Sequence, residues 1–197
     1  MKMHDKELLE KILKSENTSP AHKKILEVLL ADKEIKEERL QQFSEIIRSD
    51  ITEGQKEAAI DIFNRIEEFL EQQNLKVTIR DIENKVLILS FFMPNATMRL
   101  FVCVNETGTC ISIVNVLPIT CRNDYRTAMT AVLNRYNTHL RYGAFILDEN
   151  DGEVMFKISY AVSKESFDAA IFKQYLNCCL VVPDRAFCEI SKLSVGV

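Results

Sequence analysis

The sequence predicts an α+β domain, a mostly antiparallel sheet packed with helices in the order α-β-β-β-(β)-α-β-β-α, preceded by an N-terminal helical extension. Three observations carry this reading. Residues 1–74 hold 12 Lys or Arg and 17 Asp or Glu, against 13 and 12 in the remaining 123, so the first part is dense in charge. At Leu75 the apolar spacing changes from helical to alternating. Asn84, Pro94-Asn95 and Thr107-Gly108 then cut the following apolar runs into strand lengths.

Each element follows from local pattern. Leu8, Leu9, Ile12 and Leu13 recur at helical spacing, and Ser19-Pro20 is a cap and first-turn pair ahead of Ile25, Leu26, Leu29 and Leu30. A third amphipathic run passes through Ile35, Leu40, Phe43, Ile46 and Ile47. These runs define residues 1–50 as a helical extension and residues 51–197 as the α+β domain. Thr52 and Gln55 have the spacing of a capping box, and the stripe Ala59, Ile62, Phe63, Ile66, Phe69 and Leu70 follows them. Leu75, Val77 and Ile79 then face one way, with Lys76, Thr78 and Arg80 the other. VLILSFFM, MRLFVCV and CISIVNVL continue as strands, and the unbroken apolar character of the first predicts cover on both faces.

After the fourth strand, Asn123 or Asp124 is placed to cap a helix with Tyr125, Ala128, Met129, Val132, Leu133, Tyr136 and Leu140 inward, and Gly143 to end it. GAFILD and GEVMFKISY are two further strands. Ser163 is the expected cap of the last helix, through Phe167, Ala170, Ile171, Tyr175 and Cys178, and Pro183 predicts a kink or a division into two short helices.

Composition narrows the function. With 47% hydrophobic and 27% charged residues the chain is an ordinary globular one. A net charge of -4 offers no field for a phosphate backbone, which argues against nucleic acid. The first residues contain no apolar block of signal-peptide or membrane-span length, so the expectation is a cytoplasmic protein without a membrane partner. Cys103, Cys110, Cys121, Cys178, Cys179 and Cys188 lack C-x-x-C spacing and read as buried thiols; the adjacent Cys178 and Cys179 are the candidate redox or metal-sensing pair.

Candidate chemistry is sparse. Asp148, Glu149, Asn150 and Asp151 precede Gly152, a grouping that suits a metal or an acid and base pair. Setting Gly152 at the glycine of a calcium loop, however, puts Leu147 first and Ile158 twelfth, where oxygen ligands are required. A hairpin turn explains the same residues, because Asn, Asp and Gly tolerate the backbone that tight turns need. His139 is the best candidate for an acid or base, yet it sits near a helix end beside Arg141, an ordinary surface setting. Arg122, Arg126, Arg135 and Arg141 bracket the same helix without sharing one face. No phosphate-cradling glycine loop or G-x-S-x-G elbow occurs. The sequence therefore nominates no catalytic residue, no cofactor and no metal ligand.

LNRYNTHLRYGAFILDENDGEVMFKISYAVSKESF resembles the signature region of the YbjN-like family of bacterial sensory transduction regulators, whose fold resembles type III secretion chaperones. The matched features are Leu133, Asn134, Tyr136 and Asn137 at the end of a helix, then Tyr142, Gly143 and Phe145, the acidic hairpin Asp148 to Gly152, and a capped last helix. PDRAF, from Pro183 to Phe187, is a weaker echo, and the likeness spans roughly residues 53–195. It implies helices against a mostly antiparallel sheet, and a noncatalytic protein-binding module, an adaptor or chaperone-like regulator of a bacterial cytoplasm, with a homodimer as the expected assembly. The alternative is a small-ligand sensor or an enzyme whose site residues converge from distant positions.

Overall fold

The computed structural model describes residues 51–195, so the three helices expected before residue 50 lie outside the described residues. Helix α1 spans Glu53–Gln72, starting directly after Thr52, and buries the expected stripe from Ala59 to Leu70. Strands β1 (Val77–Asp81), β2 (Val86–Phe92), β3 (Thr97–Val104) and β4 (Cys110–Thr120) follow as a meander. A 3₁₀ turn, Asn123–Tyr125, leads into α2 (Arg126–Asn137), then β5 (Ala144–Leu147), β6 (Glu153–Ala161) and α3 (Ala169–Val195). The six strands form one antiparallel sheet in the order β1-β2-β3-β4-β6-β5, which is the α+β order read from the sequence.

All three helices cover the same face. Arg80 of β1 lies over the Phe63 ring of α1, 6.0 Å from its centroid, and pairs with Glu67. Tyr136 of α2 packs on Phe145 of β5, and Asn115 of β4 reaches α3. Phe69 and Phe172 meet edge to face, their centroids 5.4 Å apart, which joins α1 to α3. Beneath the helices lie Leu87, Leu89, Leu100, Val102, Ile111, Ile113, Phe156 and Ile158, all buried.

Several local expectations are corrected. In β1 a register shift separates Val77, opposite Leu89, from Ile79, opposite Ile88, so these two residues point to opposite faces. The shift turns Arg80 inward, where its stem covers Phe63 and its charge meets Glu67. Asn123 and Asp124 lie within the 3₁₀ turn and do not cap α2, whose N-cap residue Tyr125 makes no side-chain cap bond. Ala128 is exposed on the outer side of that helix. Gly143 (φ 74) lies beyond the end of α2 at Asn137, in the turn entering β5, and a Cβ there would come within 2.7 Å of Phe156 and Ile158 side-chain atoms.

Two further corrections concern α3. Ser163 closes a local turn, accepting from the Ser166 N–H, while the cap of α3 is Asp168, whose Oδ1 accepts the N–H groups of Ala170 at 2.7 Å and Ile171 at 3.2 Å. A carboxylate fits the positive end of a helix better than a hydroxyl. Pro183 does not divide α3 into two helices; Ala169–Val195 is one helix. Proline supplies no N–H to the carbonyl four residues earlier, here that of Cys179. The buried amide of Asn115 supplies it instead, Nδ2 donating to Cys179 O at 2.7 Å.

Candidate functional site

Among the described residues the three helices lie on one side of the sheet and none lies on the other, where strand register orders the side chains into rows. One row runs Ile79, Ile88, Phe101, Val114, Lys157 and Ala144 across all six strands. The next runs Ser90, Arg99, Val116, Met155 and Ile146. Ile88, Phe101, Val114, Val116 and Met155 are half-buried, Ile79 and Ile146 are exposed, and Phe92 at the end of β2 is 91% exposed. Strands about 4.8 Å apart make each full row about 24 Å long, the length of a helix of about 16 residues. A third row, Asp81, Val86, Cys103, Ser112 and Ser159, is more polar, and Ser112 and Ser159 hydroxyls bond across it at 2.8 Å.

Polar locks hold this surface in shape from behind. Asp184 of α3, buried, takes the Asn95 main-chain N–H at 2.9 Å and its side-chain Nδ2 at 3.1 Å, which fixes the β2–β3 turn. Asn137, at the end of α2, treats β5 as a neighbouring strand would: its Oδ1 accepts the Phe145 N–H at 2.7 Å and its Nδ2 donates to the Phe145 carbonyl at 3.0 Å. Sequence reasoning assigned no role to Asn115, Asn137 or Asp184. The available signal was a lone amide at an inward position of an apolar strand, CISIVNVL, which calls for a partner.

The residues nominated from sequence do not gather. In the 148–152 loop, Asp148 Oδ1 accepts the Asn150 N–H at 2.8 Å, Asp151 Oδ1 accepts the Glu153 N–H at 2.9 Å, and Gly152 (φ 84) donates to Asp148 O at 2.8 Å. Arg126 donates to Glu149 O. These bonds make the segment a hairpin turn. Calorimetric titration with calcium, magnesium and manganese is expected to give no isotherm in the micromolar range, and a clear isotherm abolished by Asp148→Ala would make it a metal site instead.

Arg135, Tyr136, His139 and Glu189 line a cavity of about 360 Å³ between α2 and α3, whereas Arg122, Arg126 and Arg141 are not among its lining residues. Tyr136 Oη donates to Glu189; burial, with that bond, pushes its phenol up to about 12, so the group stays protonated near neutral pH. His139 Nδ1 lies 3.0 Å from its own helix carbonyl at Arg135. Cys178 and Cys179 are neighbours within α3, and Cys179 is buried with its thiol 3.5 Å from Ile113 O. Burial raises the pKa of both, the reverse of what a reactive thiol needs.

Fold and surface together define an α+β domain in which the described helices pack on one face of the sheet. The chain belongs to the YbjN family, described as "Putative bacterial sensory transduction regulator", whose profile matches residues 63–190. Among solved structures it is similar to YbjN from E. coli, at 12% identity and a TM-score of 0.47, over 68% of this chain and 89% of that one. A further similarity is to a chain of the HopA1–SchA chaperone–effector complex, at 13% identity and a TM-score of 0.45, over 66% of this chain and 95% of that one. No curated protein matches the chain. Among the described residues, no helix is long and apolar enough to cross a membrane.

Proposed function

We propose that this chain is a noncatalytic protein-binding module, an adaptor or chaperone-like regulator of a bacterial cytoplasm, and that it binds through the sheet face opposite the described helices. The observation that carries the proposal is the pair of apolar runs on that face, from Ile79 to Val114 and from Val116 to Ile146. Contiguous apolar surface of this kind is a recurrent mark of protein contact. Membership of a family described as regulators of sensory transduction supports the same reading. The assembly we propose is a homodimer, the commonest closed assembly of a single chain.

The test pairs a surface probe with a mass. The full-length protein is expected to enhance the fluorescence of an apolar dye, and Val114→Glu, a half-buried position on the face, to remove most of that signal. Light scattering at micromolar concentration is expected to give twice the chain mass. A monomer that binds no dye would overturn the proposal. Residues 1–50 are proposed to be a separable appendage. A chain beginning at Asp50 is expected to remain soluble and to unfold cooperatively in urea, and aggregation would show that the extension covers the domain.

A further inference from the structure

The sheet face opposite the described helices carries charge as well as apolar area, and the distribution of that charge selects a partner. Arg99 of β3 and Lys157 of β6 are exposed within the two apolar rows, and neither has a hydrogen-bond or ion-pair partner among the described residues. The acids on this face sit at its margins. Asp81, at the end of β1, is engaged by the Asn84 N–H at 3.0 Å and the Asn84 Nδ2 at 2.8 Å, and Glu153 opens β6 opposite Thr120. Two cations that make no ion pair among the described residues thus stand beside an apolar field whose centre is Phe101, Val114 and Val116. A groove of about 510 Å³ runs beside Arg99, bounded by Phe101, Val116, Pro118 and, at its far wall, Glu153.

We propose that the occupant of this face is an amphipathic helix of another protein, bearing two carboxylates on the flank of its apolar stripe. Two strands and one two-residue step separate Arg99 from Lys157, about 12 Å across the sheet. On a helix that distance is about eight residues, so acids roughly two turns apart meet both cations while the apolar side chains between them lie on Phe101, Val114 and Val116. A large apolar side chain of that helix enters the groove beside Arg99. Helix-in-groove recognition with an acidic partner follows from these dimensions. A second copy of this chain is a poorer occupant. Twofold pairing face to face brings the same two cations toward one another near the centre of the contact, so the proposed homodimer uses a different surface.

The inference rests on the protein-binding reading of this face, and its test separates the two. Fluorescence anisotropy is measured with the full-length chain and a labelled synthetic peptide of about 18 residues. One of its faces is leucine and alanine, flanked by two glutamates about eight positions apart; a second peptide has lysines in their place. The glutamate peptide is expected to bind about tenfold more tightly at low salt, the difference shrinking as salt rises. Arg99→Glu with Lys157→Glu is expected to reverse the preference and leave the circular dichroism spectrum unchanged. Equal affinities, or a preference that the charge reversal does not move, overturn the proposal. So does a face already held by a second copy, seen as a dimer that Val114→Glu dissociates, or by residues 1–50, seen as an intramolecular crosslink to Lys157. If Val114→Glu abolishes binding that shows no charge preference, the face still binds protein and only the acidic partner is wrong. Peptide binding unmoved by either variant removes the protein-binding reading of the face as well.

Discussion

Replacing Asn115 with alanine is expected to cost about 2 kcal/mol, because it leaves the Cys179 carbonyl buried without a donor. The magnitude depends on Pro183. In an ordinary helix the residue at 183 would donate to Cys179 O, and the loss of a neighbouring amide would matter little; here no main-chain N–H is available. Pro183→Ala restores that N–H. The cost of Asn115→Ala should therefore fall by about 1 kcal/mol or more when Pro183→Ala is already present, a coupling that a double-mutant cycle in urea reads directly. Equal costs in the two backgrounds would show that the amide and the proline act independently. The Asn115 Oδ1, buried without a partner, adds to the argument: the structure retains one unsatisfied acceptor in order to keep this donor in place.

The largest destabilisation is expected at Gly152. Its φ of 84 is strained for any residue with a Cβ, and a Cβ built there falls 2.2 Å from the Cys121 carbonyl oxygen, a main-chain atom. That contact cannot be relieved by a rotamer. Cys121 N–H donates to the Gly152 carbonyl at 2.8 Å, so moving either strand end breaks the bond that joins the end of β4 to the start of β6. Gly152→Val should lose more than about 3 kcal/mol, which for a chain of this size lowers Tm by about 10 °C or prevents folding. Gly54→Ala is the control. It lies in the first turn of α1 with nothing within 4 Å of the added Cβ, and is expected to leave Tm unchanged or slightly raised. A Gly152→Val protein that melts with the wild type would remove the clash from the account.

Much of the fold was legible because each element carries its own period. The stripe from Ala59 to Leu70 and the alternation in β3, β4 and β6 depend on neighbours a few residues away, and the structure keeps them. What failed depends on distant partners. The register shift in β1 goes with contacts of Arg80 to Phe63 and Glu67 on a helix, which no local pattern around Val77 and Ile79 contains. Likewise Ser163 and Asp168 are both cap residues by type, and the last helix starts at the one that precedes the buried Phe172. Pro183 looked like a break because its compensating donor lies on β4. The sheet face opposite the helices was legible in part: the continuous apolar run of β2 predicts cover on both faces, and the described helices cover one. Its two cations were not, since Arg99 and Lys157 come to share one face only through β4 between them.

Asn137 also limits what the molecule can build. The four-residue strand β5 ends the sheet on one side, and both main-chain groups of Phe145 that would receive another strand are held by that amide. At the other margin, β1 has no such stopper among the described residues. Among the described residues the sheet therefore has one blocked end and one open end. Fibre growth by strand addition needs two free ends on every subunit, whereas two copies joined through β1 would present a blocked end on each side. Strand addition to the described sheet would therefore stop at two copies.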